Sequence, residues 1–227
     1  MISIIIPVYG DAHTLPRCLA AIAAQAERDF EVIIVDDGST PPVERIEVPG
    51  LTKIRWFRRP HAGAPAARNF GAAQASGAYL LFCDADVVLV SRALAAFKRA
   101  LVEHLDVSYA YASFRFGWKR FAALPFDADR LRRMPYIHTT SLLRRVDFPG
   151  FDPSLQRFQD WDLWLTMLMR GKSGVPVHET LFTIVHTRGT MSRWLPSFVY
   201  QLPWKTRRVR AYERARERLF RKHGISA

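Results

Sequence analysis

Apolar residues enter this chain as short unbroken runs, not as alternating ones. Ile2 to Val8 and Phe30 to Val35 are rich in β-branched residues, and Tyr79 to Cys83 is a third run, bounded by Gly77 and Asp84. A strand that is apolar at nearly every position is covered on both faces, so these runs predict central strands of a buried sheet. Ile54 to Arg58 predicts a shorter strand. Between them lie helical stretches. One runs from about Leu15 to Gln25, capped by Thr14 with Pro16 in its first turn. The alanine-rich piece from about Ala64 to Ala75 is helical by propensity and is ended by Gly77; a third helix, capped by Ser91, runs from about Arg92 to His104. This alternation predicts an α/β fold with a mostly parallel, Rossmann-like sheet and helices on both faces.

The second half is less regular. Val107 to Phe116, Ile137 to Leu143 and Leu181 to His186 read as strands, and Arg130 to Arg133 as a short basic helix or loop. Gln159 to Arg170 is an amphipathic helix stopped by Gly171. A basic helix from about Pro203 to His223 follows the aromatic segment Trp194 to Trp204.

Composition adds three constraints. At 227 residues and 49% hydrophobic content, one α/β domain with a modest appendage can bury a real core. No apolar run reaches the length of about eighteen residues that a membrane-spanning helix needs, and Met1 to Pro7 lacks the pattern of a signal peptide. Cys18 and Cys83 lack metal-type spacing and read as small buried hydrophobes in a reducing compartment, so a cytoplasmic protein is expected.

The net charge of +12 is unevenly placed. From Arg193 onward ten bases face Glu213 and Glu217 alone, so +8 belongs to the tail and not to the fold. Such a helix can lie on an anionic membrane, as a peripheral contact of residues 203–227 with the inner face of the cell membrane. It can equally pack its Tyr212, Leu219 and Phe220 side on the domain as a solvated helix. A nucleic-acid partner is not expected, because the upstream motifs point to other chemistry.

Neither usual phosphate cradle is present: no Gly-x-x-x-x-Gly-Lys-Ser/Thr occurs, and no Gly-x-Gly-x-x-Gly follows the first strand. Asp84-Ala85-Asp86 instead follows an apolar strand, at the carboxyl edge where open α/β sheets bind ligands. Two acids so spaced can share a hard cation, and the cation a diphosphate. A turn that ends the strand is the alternative. Asp36-Asp37-Gly38-Ser39 ends the second strand in the same way, where a carboxylate can accept from a nucleobase or a ribose, or close a turn. Arg68 could neutralise a phosphate or pair with Asp36 or Asp37.

Five segments, in this order, resemble family 2 glycosyltransferases of GT-A fold. They are Ile4-Ile5-Ile6-Pro7-Val8-Tyr9, Val35-Asp36-Asp37-Gly38-Ser39, Ala66-Ala67-Arg68-Asn69-Phe70-Gly71, Asp84-Ala85-Asp86 and Gln159-Asp160-Trp161-Asp162-Leu163-Trp164-Leu165. The likeness covers about residues 1–192. It implies a GT-A domain there, with a nucleotide-sugar-binding half at 1–90, an acceptor half carrying the general base at 91–192, and a basic helical tail at 193–227. It implies a metal-dependent, inverting transfer of a sugar from a nucleotide-sugar, a UDP-sugar first, to an acceptor hydroxyl. The acceptor would be a saccharide or lipid-linked saccharide of surface polysaccharide or lipopolysaccharide synthesis.

Residue by residue, the resemblance puts Pro7, Tyr9 and Asp37 at the base pocket with Asp36 and Arg68 nearby. Asp84 would contact ribose or metal, and Asp86 would hold Mg²⁺ or Mn²⁺ on the diphosphate. Asp160 would be the general base, with Asp162 as its competitor. His186 matches a family histidine that can reach the metal or the diphosphate, with Arg188 beside it, and has a structural alternative. Trp161 would offer the acceptor a stacking face, Trp164 would be core, and His138 with Thr139 and Thr140 would face the acceptor or pack a strand. The chain departs from the family at Gly10-Asp11, where Asn is usual, and at Gln159, where Glu is usual. Two other readings stay open: a nucleotidyltransferase acting on sugar phosphates, and a catalytically inactive nucleotide-sugar-binding module.

Overall fold

The structure, a computed structural model, describes residues 1–10, 12–185 and 207–225. In chain order the first half holds β1 (Ile2–Val8), α1 (Leu15–Ala23), β2 (Phe30–Asp36), β3 (Ile54–Arg58), α2 (Ala64–Gln74), β4 (Tyr79–Phe82), β5 (Val87–Leu89) and α3 (Ala93–Glu103). The second half holds β6 (Tyr109–Phe116), β7 (Lys119–Phe121), α4 (Ala128–Arg133), β8 (Leu142–Arg144), α5 (Gln159–Met169), β9 (Gly174–Ile184) and α6 (Arg207–Lys222). The described strands form one sheet in the order β3-β2-β1-β4-β8-β6-β9-β5, with β7 on β6. β3, β2, β1 and β4 run parallel, in register from Ile2 opposite Phe30 to Val8 opposite Asp36. β8 joins β4 antiparallel and turns the sheet into its mixed second half, where β6 and β9 are again parallel.

The unbroken apolar runs have a simple origin. Ile4, Ile6, Val32, Ile34 and Leu81 enter one core with α1 and α3, while Ile5, Ile33, Val35, Leu80 and Phe82 enter a second core with α2 and α5. Successive strand residues point to opposite faces, so a sheet covered on both needs apolar side chains at every step.

Several predicted boundaries move. Neither Thr14 nor Ser91 caps a helix with its side chain: α1 has no such bond, and α3 begins at Ala93 after Arg92. Of the predicted Ile137 to Leu143 strand only Leu142 and Leu143 pair, in a strand that runs on to Arg144, and β9 is longer than predicted because it starts at Gly174. Val87 begins a separate strand that pairs with β9, at the far end of the sheet from β4. The chain therefore leaves one part of the sheet and enters another through Asp84-Ala85-Asp86.

The tail helix is not free in solvent. Leu219 and Phe220 are buried in the α2/α5 core. Phe220 meets Trp161 edge-on at 5.5 Å, and Tyr212 meets Phe158 at 4.9 Å. Of the two arrangements predicted for its apolar side, packing on the domain is the one observed.

Candidate active site

Four loops at the carboxyl ends of β1, β2 and β4 and the start of α5 converge on one edge of the sheet. At β2 both acids are buried and bound to backbone. The Asp36 carboxylate accepts from the N–H groups of Ser39 (2.8 Å) and Val43 (3.2 Å). Burial pushes this carboxyl up, but those donors and Arg58 outweigh it and hold the group below its ordinary value. Asp37 reaches across to the segment before α2, accepting from Gly63 N–H at 2.7 Å and Ala62 N–H at 3.2 Å. His61 Nδ1 lies 2.9 Å from the same carboxylate. Gly38 between these contacts has φ +82°, and a Cβ there would stand 2.7 Å from the His61 backbone nitrogen, so the loop requires glycine. Tyr9 is 60% exposed and stacks on His61 with ring centroids 3.9 Å apart. Tyr9, His61 and Asp37 thus form one aromatic and acidic corner, with half-buried Pro7 just upstream in β1.

Arg68 does not pair with Asp36 or Asp37. From α2 its guanidinium donates to Asp84 Oδ1 at 2.6 Å and to Gln159 Oε1 at 2.9 Å. The side chain is buried and lies 5.3 Å from the Phe151 ring centroid. The neighbouring Asn69 fixes that segment, donating to Phe151 O and accepting from Phe151 N–H, each at 2.8 Å. Arg68 therefore bridges the acid after β4 to the first residue of α5.

Asp84 and Asp86 are differently placed. Burial pushes the Asp84 carboxyl up, but the charge and hydrogen bond of Arg68 overcome this and hold it below its ordinary value. Asp86 has no such partner among the described residues: burial, then the charge of Asp84, pushes its carboxyl up to about 6. A cation beside Asp86 would favour its charged form, which burial and Asp84 oppose.

Across from these acids, α5 opens at Phe158, whose left-handed φ of 60° is rare for a bulky residue. Asp160 follows in the first turn, half-buried, with Oδ1 accepting from Trp161 N–H at 2.9 Å. His138 completes the enclosure. Its Nδ1 accepts from Thr140 N–H at 3.0 Å, which leaves the neutral ring's proton on Nε2. Burial holds its pKa below the usual imidazole value, against the charges of Asp84 and Asp160, which both act on it. His138 thus lies in a loop within reach of the charges of both acids, its ring against Phe114 and Phe182, rather than in the predicted strand.

One expectation is corrected. Trp161 cannot stack on an acceptor, because its ring is 1% exposed and its Nε1 donates to Leu131 O at 2.6 Å. The first turn of α5 sends Asp160 outward and Trp161 inward to the core, as successive helix positions must diverge. Asp162 is also buried, and is taken up by Lys222 and His223. His186 and Arg188 lie outside the described residues.

The model of glycosyl transferase family 2 matches residues 3–150. The chain belongs to that family. A relative in Mycobacterium tuberculosis, a PGL/p-HBAD biosynthesis glycosyltransferase, is 34% identical over 178 residues, covering 71% of this chain and 67% of its own. An uncharacterized glycosyltransferase of Rickettsia felis is 36% identical over 89 residues, but the chain spans only 14% of its length. Among solved structures, S. aureus TarS 1-349 in complex with UDP-GlcNAc aligns with a TM-score of 0.67 at 17% identity, over 88% of this chain and 63% of that one. The mannosyltransferase PcManGT of Pyrobaculum calidifontis, in complex with GDP-Man and Mn²⁺, aligns at 0.62 and 19% identity, over 83% and 58%. At these identities the structural likeness establishes the fold, which is GT-A, and not the substrate.

Sequence reasoning missed two members of the site. One is His61: nothing local in the sequence shows that it lies under Tyr9. Gln159 was read as a lost charge, whereas its amide oxygen accepts from Arg68.

Proposed function

We propose that this chain is a glycosyltransferase that moves a sugar from a nucleotide-sugar, UDP-linked first, to an acceptor hydroxyl with inversion. The observation that carries the reading is the Arg68 bridge, which links Asp84 at the donor side to Gln159, the residue before Asp160. Donor acids and candidate base thereby belong to one site. In this reading residues 1–90 bind the donor, 91–192 the acceptor, and 193–227 form an appended tail. The Tyr9–His61–Asp37 corner takes the base and ribose, with Pro7 and Asp36 behind it.

The residues fit a Mg²⁺ or Mn²⁺ ion. Asp86 offers a carboxylate not neutralised by Arg68, and Asp84 offers a second oxygen pair beside it. No group of three such side chains is placed to hold a metal alone among the described residues, so diphosphate oxygens would complete the shell, as is usual for Mg²⁺. When bound, the cation supplies charge stabilisation for the departing diphosphate. Asp160 takes the acceptor proton as the hydroxyl attacks the anomeric carbon from the face opposite the diphosphate. His138, with its proton on Nε2, orients the acceptor, and His186 remains a proposed contact to the metal.

A lipid-linked saccharide acceptor agrees with the outer face of α6, where Arg207, Arg210, Arg214 and Arg221 are exposed. Flotation of the full chain with anionic but not zwitterionic vesicles checks this. No described helix is long and apolar enough to cross a membrane, so the contact would be peripheral.

The test of the reaction is incubation with a panel of nucleotide-sugars and Mn²⁺, reading released nucleoside diphosphate. Release from at least one donor is expected. No release from any donor, together with no calorimetric binding of UDP, overturns the reading.

A further inference from the structure

The strongest charge cluster outside the donor site lies behind α5. Asp162, 2% exposed, receives Lys222 Nζ at 2.7 Å and His223 Nε2 at 2.8 Å. The same Lys222 ammonium reaches Asp152 at 2.8 Å. Asp152 and Asp162 stand at the two ends of the segment that carries Phe158 and Asp160, so one lysine closes that segment like a staple.

The end of α6 is shaped to deliver these two side chains. Gly224 has φ +61°, Ile225 N–H donates to Phe220 O at 2.9 Å, and Ile225 packs back on the α2/α5 core. This is a left-handed glycine cap with its hydrophobic contact, and it stops the helix where Lys222 and His223 face Asp162. Phe220 against Trp161 fixes the helix laterally.

Ion pairing adds little net stability here, because desolvation of the buried Asp162 offsets the attraction and the Lys222 side chain is still partly in solvent. What it fixes is geometry. The geometry needs fixing here, because Phe158 holds a left-handed backbone that an aromatic residue adopts only when its surroundings impose it.

We propose that Lys222 and His223 are positioning residues, which act through Asp162 and Asp152 to hold the segment presenting Asp160 in its working conformation. The tail, although appended in sequence, then works with the acceptor half. This rests on the proposed role of Asp160 for its effect on transfer, while the holding itself is independent of that role.

The test uses the full-length chain with K222M/H223L, which removes both donors, and K222R/H223Q, which keeps a charge and a side-chain N–H. Because an unpaired buried Asp162 could unfold the domain, D162N/K222M/H223L is a second disrupting variant. Amide hydrogen exchange is read in residues 156–164 and, as the control, in residues 30–36 and 64–74. Exchange in 156–164 is expected to rise about tenfold or more in the disrupting variants, with the control segments within about twofold. Transfer kcat should fall about tenfold with donor KM within about twofold, and K222R/H223Q should recover most of both. Equal exchange changes in all segments, or none in 156–164, overturn the proposal. So does an unchanged kcat in a chain whose wild type transfers. If the wild type acts on no donor, the proposed reaction fails alone, and the exchange measurement still decides whether the staple holds the segment.

Discussion

The two halves of the molecule place their acids by opposite means. In the first half, the proposed donor side, Asp36 ends and Asp37 directly follows a strand locked in register with its neighbours, and both accept backbone N–H groups from the loops beside them. In the second half, the proposed acceptor side, the residues flanking Asp160 are engaged by groups remote in sequence: Gln159 by Arg68, and Asp162 by Lys222 and His223. The donor corner follows from the strand pattern. The acceptor corner follows from contacts that form only when the whole chain is folded.

Substitutions should separate the halves. The largest effect is expected for Asp160→Asn: transfer falls by about 10²–10⁴-fold, the usual contribution of a general base, while calorimetric UDP affinity stays unchanged. An equal loss of affinity would erase the division of labour. Asp86→Ala comes next, and should weaken UDP binding in Mn²⁺ by more than about tenfold while transfer falls with it. Retained Mn²⁺-dependent affinity would remove Asp86 from the donor side.

A pH experiment sharpens the donor half without touching catalysis. Glu31 in β2 accepts from Ser3 Oγ, Ser76 Oγ and N–H, and Arg55. Burial pushes its carboxyl up, but these donors outweigh it and lower the pKa from 4.5 to about 2. Because the folded-state value is depressed, the stabilisation is fully present above about pH 4.5 and is lost as pH falls toward 2. Glu31→Gln should cost about 2–3 kcal/mol in denaturant unfolding at pH 7, and the difference from wild type should shrink across that window.

The smallest effect is expected at the end of the tail. Gly224→Ala meets no steric neighbour but forces alanine into a left-handed backbone. A loss of about 1 kcal/mol in unfolding free energy is expected. A much larger loss would mean that the cap carries more of the acceptor half than its staple.

The halves were not equally legible in the sequence. Unbroken apolar runs announced strands covered on both faces, and acids following those runs had to lie at the carboxyl edge. Tyr9, Asp37 and Asp84 could therefore be assigned to one rim before any coordinates. β5 could not, because three residues after a loop carry no periodicity long enough to read. Trp161 was misjudged for a related reason. Its motif fixed its place on a helix, but only the packing of α4 and α6 fixed which side of that helix is core.

By itself, then, the sequence determined the strand pattern, the parallel donor half, the family and the acids at its rim, since these depend on local period and on motifs within a few residues. Tertiary structure alone decided that Arg68 serves Asp84 and Gln159 and that Trp161 is core. It also decided that a basic tail, readable as a separate arm, closes on Asp152 and Asp162. Such pairings join residues some 16 to 91 positions apart. Charge and hydrogen bonding select partners by distance in space, and distance in space is what a linear pattern does not encode.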